Sequence, residues 1–285
     1  LPRMNVILGA TGVVGSAVLD ELVKRGVPTR AAFRSRVPDP RATQHARVDL
    51  STGEGLEACL DGARTVFLAT GDMVDQVGAE VRVIEAARRA GVNRLVKLSI
   101  LCAGSEAFFL ARVHCAIERE LERSGIPNTV LRPGGFMQNF VTYYGHALKT
   151  EGVLRLPWGD GEESPIDARD IARVAAVCLT SESFTGRHLD LCGPKAMTYQ
   201  EMTRVLGQAA GRELRYESIP DGGFREAMLP YAVSPAHVEG LIDMFRFHRE
   251  GRAPRASDAV LEVTGTPPRS FEDFAREHAG SWRED

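Results

Sequence analysis

The chain has 285 residues, 44% hydrophobic and 26% charged, values of an ordinary globular protein that exclude wholesale disorder. Its 38 acids against 35 bases leave a formal charge of −3, which argues against a nucleic-acid groove or a polybasic membrane surface. A chain of this length buries enough surface to need neither disulfides nor metal, and no apolar run approaches the ~18 residues that span a bilayer.

The first two-thirds alternate short apolar runs with amphipathic stretches, the pattern of βαβ units on a parallel sheet. Met4–Leu8 reads as a strand buried on both faces. A helix is predicted over residues 12–25, where Val13, Val14, Ala17, Val18, Leu22 and Val23 recur at helical spacing before Gly26. Further strands are predicted at Thr29–Phe33 and at residues 46–50, 64–70, 95–100 and 129–132, with helices over 55–60, 75–90 and 105–124. Beyond residue 135 the alternation loosens. Strands at Val153–Leu156 and His188–Leu191 flank a helix over 168–179; Tyr199–Ala210 is helical, and residues 214–219 form a strand before a run of helical pieces. The expected architecture is α/β: a doubly wound parallel sheet of the Rossmann type with a smaller, mostly C-terminal α/β domain. Residues 1–150 form the first, with 166–193 returning to it; residues 151–165 and 194–285 form the second.

The five cysteines, Cys59, Cys102, Cys115, Cys178 and Cys192, are odd in number and form no CxxC pair. They read as reduced thiols packed as small hydrophobes, and so as the usage of a cytoplasmic protein. The first residues enter an apolar strand directly, without the basic, apolar and cleavage regions of a signal peptide.

Between the first strand and the first helix, residues 9–15 read Gly-Ala-Thr-Gly-Val-Val-Gly, a GxxGxxG spacing. Gly9, Gly12 and Gly15 permit a tight turn, let a pyrophosphate approach the backbone and let helix pack on strand, while Thr11, Val13 and Val14 bring main-chain N–H groups to the helix start. That pattern, in a first βαβ unit, predicts dinucleotide binding. After the second strand come Arg34, Ser35 and Arg36, with no acid before Asp39. Arginine there accommodates a ribose 2′-phosphate whereas an acid would bind the 2′-hydroxyl, so the cofactor expected is NADP(H).

These residues resemble the NmrA-like, atypical members of the short-chain dehydrogenase/reductase superfamily, and the similarity covers nearly the whole chain. It extends to Val48-Asp49-Leu50, to Phe67-Leu68-Ala69-Thr70 with Gly71 behind them, and to residues 124–134 followed by Phe136, Met137, Gln138 and Asn139. Residues 167–172 and 265–271 also match. The resemblance implies a Rossmann domain with a small substrate domain, adenine contacts at Asp49 and Leu50, and a cofactor path along Ala69, Thr70 and Gly71. It further implies reductase chemistry on quinones or dyes, or a redox-sensing role.

Catalysis is less determined. Many members of the wider superfamily use a Tyr-x-x-x-Lys pair with a serine, and the helix after the fifth strand holds neither tyrosine nor lysine over residues 111–118. His114 falls where related ether and isoflavone reductases carry a catalytic lysine. It is either a proton donor titrating near neutrality or a helix residue paired with Glu118 at i,i+4. Ser99, at the end of the fifth strand, is placed to polarise a substrate carbonyl or to satisfy nearby backbone. Asp167 and Asp170 open a helix and read as caps tethering the two domains; Arg132 either pairs with one of them, the favoured reading, or orients substrate. Phe136, Met137, Phe140, Tyr143 and Tyr144 divide between core packing and contact with a flat substrate, with Asn139 beside them. No HExxH, CxxC or G-x-S-x-G occurs, so neither a metal nor a serine hydrolase is expected.

Three functions remain open. One is an NADP(H)-dependent oxidoreductase passing hydride to a planar aromatic, quinone-like or enone acceptor. The others are a non-catalytic NADP(H) sensor that regulates a partner, and a redox-neutral isomerase, cyclase or dehydratase on the same fold. The expected partners are a small aromatic substrate, no nucleic acid and no membrane, with a homodimer or a regulatory protein partner left open.

Overall fold

The computed structural model describes residues 4–35, 40–71, 73–254 and 256–284. Its strands are β1 (Met4–Leu8), β2 (Thr29–Phe33), β3 (Gln44–Arg47), β4 (Ala63–Leu68), β5 (Arg94–Leu98), β6 (Asn128–Pro133), β7 (Val153–Leu156), β8 (Glu162–Glu163), β9 (His188–Leu191), β10 (Met197–Thr198) and β11 (Arg215–Ser218). The helices of the first half are α1 (Val13–Lys24), α2 (Leu56–Leu60), α3 (Gln76–Arg89) and α4 (Phe109–Arg123). They are followed by α5 (Asn139–Thr142), α6 (Gly145–Thr150), α7 (Ala168–Thr180) and α8 (Tyr199–Ala210). The last are α9 (Asp221–Met228), α10 (Pro235–Arg249), α11 (Ala259–Thr264) and α12 (Phe271–Glu277).

Seven strands form one sheet in the order β3-β2-β1-β4-β5-β6-β9, every neighbouring pair parallel. Parallel strands need crossovers, and the amphipathic helices supply them on both faces. One face is packed by α1, α7 and α11, with Ile7, Val18, Leu22, Phe67, Ile171, Ala175 and Val260 in a common core. The opposite face is packed by α2, α3 and α4 over Val6, Leu8, Leu60, Val66, Ile84, Leu95, Ile117 and Leu121. Such a sandwich leaves β1 buried along its whole length, as its unbroken apolar run requires. The chain changes direction across the sheet between β1 and β4, and a crevice opens there beyond the carboxyl ends of the strands.

A third cluster lies apart from the sheet. Met137, Phe140, Leu148, Leu156, Trp158, Met202, Leu206, Phe245, Phe274 and Trp282 form its centre. It draws in residues before position 150, and α11 packs instead with the sheet core, so the cores cross the boundary expected at 150 and within 194–285. The reason is local: residues 135–137 run beside residues 164–167, with Ile166 N donating to Gly135 O and Met137 N to Ile166 O. Among the described residues no helix is long and apolar enough to cross a membrane.

Three element bounds differ from expectation in ways that bear on the site. The third strand ends at Arg47, because Asp49 turns back to bridge Glu54. The fifth strand ends at Leu98, leaving Ser99 in the loop beyond it. The helix expected from residue 105 begins at Phe109, after a tight turn over Ala103–Ser105 in which Cys102 takes a left-handed backbone.

Candidate active site

The glycine turn is shaped by close approach. Gly9 has φ +83, and a Cβ there would strike the carbonyl oxygen of Ala69, just past the end of β4. A Cβ on Gly15 would strike the carbonyl of Gly9. Both glycines are therefore demanded by the chain's own packing. Gly12 differs: a Cβ would meet only Gly9 O, at 3.3 Å, and space otherwise. Gly12 is also the residue at which α1 starts, with no side-chain cap and no acid in the first turn. The start of α1, with the positive end of its dipole, thus opens beside a glycine whose Cα no side chain covers, which suits a pyrophosphate.

Two cavities adjoin this turn. The smaller, 320 Å³, runs over Arg34 and Ser35 to Val48, Asp49, Leu50 and Ser51, and shares Gly9, Thr11, Ala69, Thr70 and Gly71 with the larger. Arg34 is exposed, and Asp49 is drawn below the usual carboxylate range chiefly by hydrogen bonds from Ser51, with a lesser pull from Arg34. Arg36 lies outside the described residues. The larger cleft, 660 Å³, starts at Gly9–Gly15 with Thr11, Val13 and Val14 in its wall, and passes Ser99 and His114 to reach Phe136 and Asn139. Met137 is not in its lining; it is fully buried in the third cluster, because its side chain points away from the cleft-facing Phe136. Tyr143, three-quarters exposed, stands at the lining, whereas Phe140 is core.

Behind the cleft wall two buried ion pairs hold the strand ends. Lys97 Nζ meets Glu80 Oε2 at 2.5 Å with both side chains fully buried, and Glu80 also accepts from Thr70 and Gln76. Glu118 on α4 accepts from Ser99 Oγ at 2.5 Å and from Arg132 through Nη2 at 2.5 Å and Nε at 3.1 Å. This corrects two expectations. Arg132 pairs with Glu118, not with Asp167 or Asp170, because β6 aims it at α4; those aspartates are held by Arg169 and Arg173 and by the Arg269 main chain. Glu118 is thereby engaged with Ser99 and Arg132 and makes no pair with His114. Ser99 sends its proton to Glu118 and offers the cleft an oxygen alone.

His114 lies in the cleft wall with Nδ1 buried and unpaired. Burial, and secondarily the Lys97 charge, push its pKa well below the ordinary value. The imidazole is neutral at pH 7, so the expectation that it titrates near neutrality does not hold.

The far end of the cleft carries polar groups that the sequence did not single out. Glu163 accepts the Tyr199 hydroxyl at 2.8 Å, and Tyr144 is hydrogen-bonded to Tyr199 in turn. Trp158 and His248 pack beside them as tilted rings, centroids 4.8 Å apart, with Trp158 Nε1 and His248 Nδ1 buried and unpaired. No lysine or arginine is among the described residues lining this cleft. Sequence held little signal for these groups. Glu163 sits in a two-residue strand, and Tyr199 follows the capping box formed by Thr198 and Glu201, where it reads as an ordinary helix start.

A model of the NmrA-like family matches residues 4–274. The chain belongs to that family. Over 284 residues this NmrA-like chain is 32% identical to an NAD(P)H azoreductase of Xenophilus azovorans, covering 98% of this chain and 99% of the relative. It is also 32% identical over 283 residues to a (4-alkanoyl-5-oxo-2,5-dihydrofuran-3-yl)methyl phosphate reductase of Streptomyces griseus, covering 97% and 98%. In fold it is similar to an NADPH-dependent quinone oxidoreductase of Escherichia coli solved with NADPH, with TM-score 0.83 at 23% identity, over 96% and 99% of the two chains.

Proposed function

We propose that this NmrA-like chain is an NADP(H)-dependent oxidoreductase that transfers hydride to a planar aromatic, quinone-like or enone acceptor. The observation that carries the reading is continuity. One 660 Å³ cleft joins the bare glycine turn to a chamber bounded by Phe108, Phe136, Tyr144, Trp158, Tyr199 and Phe245. A slot of aromatic rings suits a flat conjugated acceptor, which spreads the negative charge left by hydride addition through delocalisation. Relatives named as an azoreductase and a quinone oxidoreductase support that acceptor class.

The pyrophosphate is assigned to the main chain of Gly9, Thr11, Gly12, Val13, Val14 and Gly15. The adenosine end is assigned to Asp49 and Leu50, with Arg34 on the 2′-phosphate. Ala69, Thr70 and Gly71 line the path onward to the acceptor. When bound, the cofactor supplies the hydride. Phe136 and Asn139 border the acceptor, neutral His114 orients it by hydrogen bonding, and the Ser99 oxygen is a fixed acceptor at the strand end. All five cysteines are free thiols, which fits a reducing, cytoplasmic setting.

The test is NADPH consumption, followed by absorbance, with quinones, azo and triphenylmethane dyes and enones. Turnover with at least one class, faster with NADPH than with NADH, is expected. Tight NADPH binding with no oxidation by any acceptor would overturn the reading.

A further inference from the structure

We propose that Glu163, held by Tyr199, is the proton donor to the acceptor in this cleft, a role that rests on the reductase reading above. The carboxyl is fixed from two sides. Its strand β8 pairs with β10, with Glu163 opposite Met197, and β10 runs directly into Tyr199 at the start of α8. A few residues on, Ile166 is bonded to Gly135 and Met137 in the segment that follows β6. Glu163 Oε2 consequently lies against the bare Cα of Gly135, where a Cβ would come within 2.6 Å of it. Gly135 lines the cleft beside Gly134 and Phe136, at the carboxyl end of the sheet. Glu163 therefore stands at the seam between the sheet's ligand edge and the aromatic chamber.

The other polar groups of the cleft wall are weaker proton donors. The Ser99 proton goes to Glu118, and His114 is neutral. Burial raises the Tyr199 pKa well above its ordinary value, so its proton stays on oxygen and is donated to Glu163. Burial also raises Glu163 to about 7, opposed only by the Tyr199 hydrogen bond. A group poised there is half protonated at neutral pH, which suits general acid catalysis. The titratable groups around it are Tyr199 on α8, Tyr144 before α6, His248 on α10 and, elsewhere in the cleft wall, His114 on α4. Nearby Arg249 is turned to Asp221 and to the Pro157 carbonyl. Buried Trp158 Nε1 and His248 Nδ1, both unpaired, make the same end of the cleft a place short of hydrogen-bond partners, which a substrate oxygen or nitrogen would supply.

Hydride addition brings two electrons to the acceptor and leaves negative charge on an oxygen or nitrogen. The O–H bond of the Glu163 carboxyl then breaks, its proton forms the new O–H or N–H bond, and the carboxylate regains a proton from solvent at the cleft mouth. Each turnover consumes one NADPH and one proton.

Single-turnover reduction of a quinone by the NADPH-loaded protein, across pH 5.5–9, tests this. Wild type should slow as pH rises past about 7. Glu163→Gln, which preserves the Tyr199 hydrogen bond, should be slower by about 10- to 100-fold and flat with pH, with NADPH affinity unchanged. Tyr199→Phe should retain most of the rate and move the pH limb upward, since the lost hydrogen bond favoured the carboxylate. Infrared titration of the free protein supplies a readout independent of turnover: a protonated carboxyl band lost near pH 7 and absent in Glu163→Gln. An active wild type with Glu163→Gln unchanged, or with no such band, overturns the proposal alone. A wild type that reduces no acceptor overturns the reductase reading, and the donor role with it.

Discussion

The Ser99 hydroxyl donates to the buried Glu118 carboxylate at 2.5 Å, so a serine at the mouth of the sheet is tied to the helix behind it. Arg132 completes the carboxylate's neutralisation from the next strand. The two partners differ in kind. Ser99→Ala removes one hydrogen bond to a charged group and should cost about 1.5–3 kcal/mol. Arg132→Met leaves a buried carboxylate without its cation and should cost about 3–5 kcal/mol. Urea unfolding of the two variants ranks them; Ser99→Ala costing more than Arg132→Met would contradict the assignment.

Gly12 and Gly15 should separate cofactor binding from folding. Gly15→Ala drives a Cβ into the Gly9 carbonyl and should lower the melting temperature markedly. Gly12→Val finds only a 3.3 Å contact within the protein, so it should fold, yet cover the surface proposed for the pyrophosphate. NADPH affinity should fall about 100-fold or more, equivalent to about 2.7 kcal/mol. Calorimetric binding to folded Gly12→Val checks this.

Arg34 should set the preference between the two nicotinamide cofactors. Arg34→Ala should weaken NADPH binding by about tenfold or more, the value of a charge-assisted hydrogen bond, while leaving NADH binding nearly unchanged. Because Arg34 is exposed, the NADPH effect should also shrink at high salt. Titrations of both cofactors at two ionic strengths provide the check.

His114 should influence rate without shaping the pH profile near neutrality. His114→Gln should reduce kcat by about tenfold and leave the pH dependence near neutrality intact, since burial keeps the native imidazole neutral there. Its stability signature has a definite sign. The folded pKa lies below the unfolded value of about 6.5, so the unfolded chain binds more protons under acidic conditions. Wild type should lose stability relative to His114→Gln as pH falls through about 6.5, and the two should respond alike above it. Urea midpoints at pH 5 and pH 8 measure the difference.

The sequence by itself determined the sheet, the crossovers and the glycine-rich turn. Those signals are local: β1 is an unbroken apolar run, α1 repeats at helical spacing, and the glycines between them answer to contacts within one βαβ unit. The GxxGxxG spacing and Arg34 were legible as candidate cofactor contacts, since main-chain geometry and charge type carry that chemistry. Tertiary structure alone decided which polar groups meet. Arg132 and Glu118 are brought together by strand and helix packing, so the expectation of an Arg132–Asp167 or Arg132–Asp170 pair failed. Whether a side chain titrates near neutrality depends on burial and on neighbours distant in sequence, which is why the sequence left two readings of His114 open. Glu163 and Tyr199 lie 36 residues apart in the chain and become a hydrogen-bonded pair through the short β8–β10 ribbon. A two-residue strand has no periodicity to read, and desolvation of a carboxyl is a property of the space that closes around it.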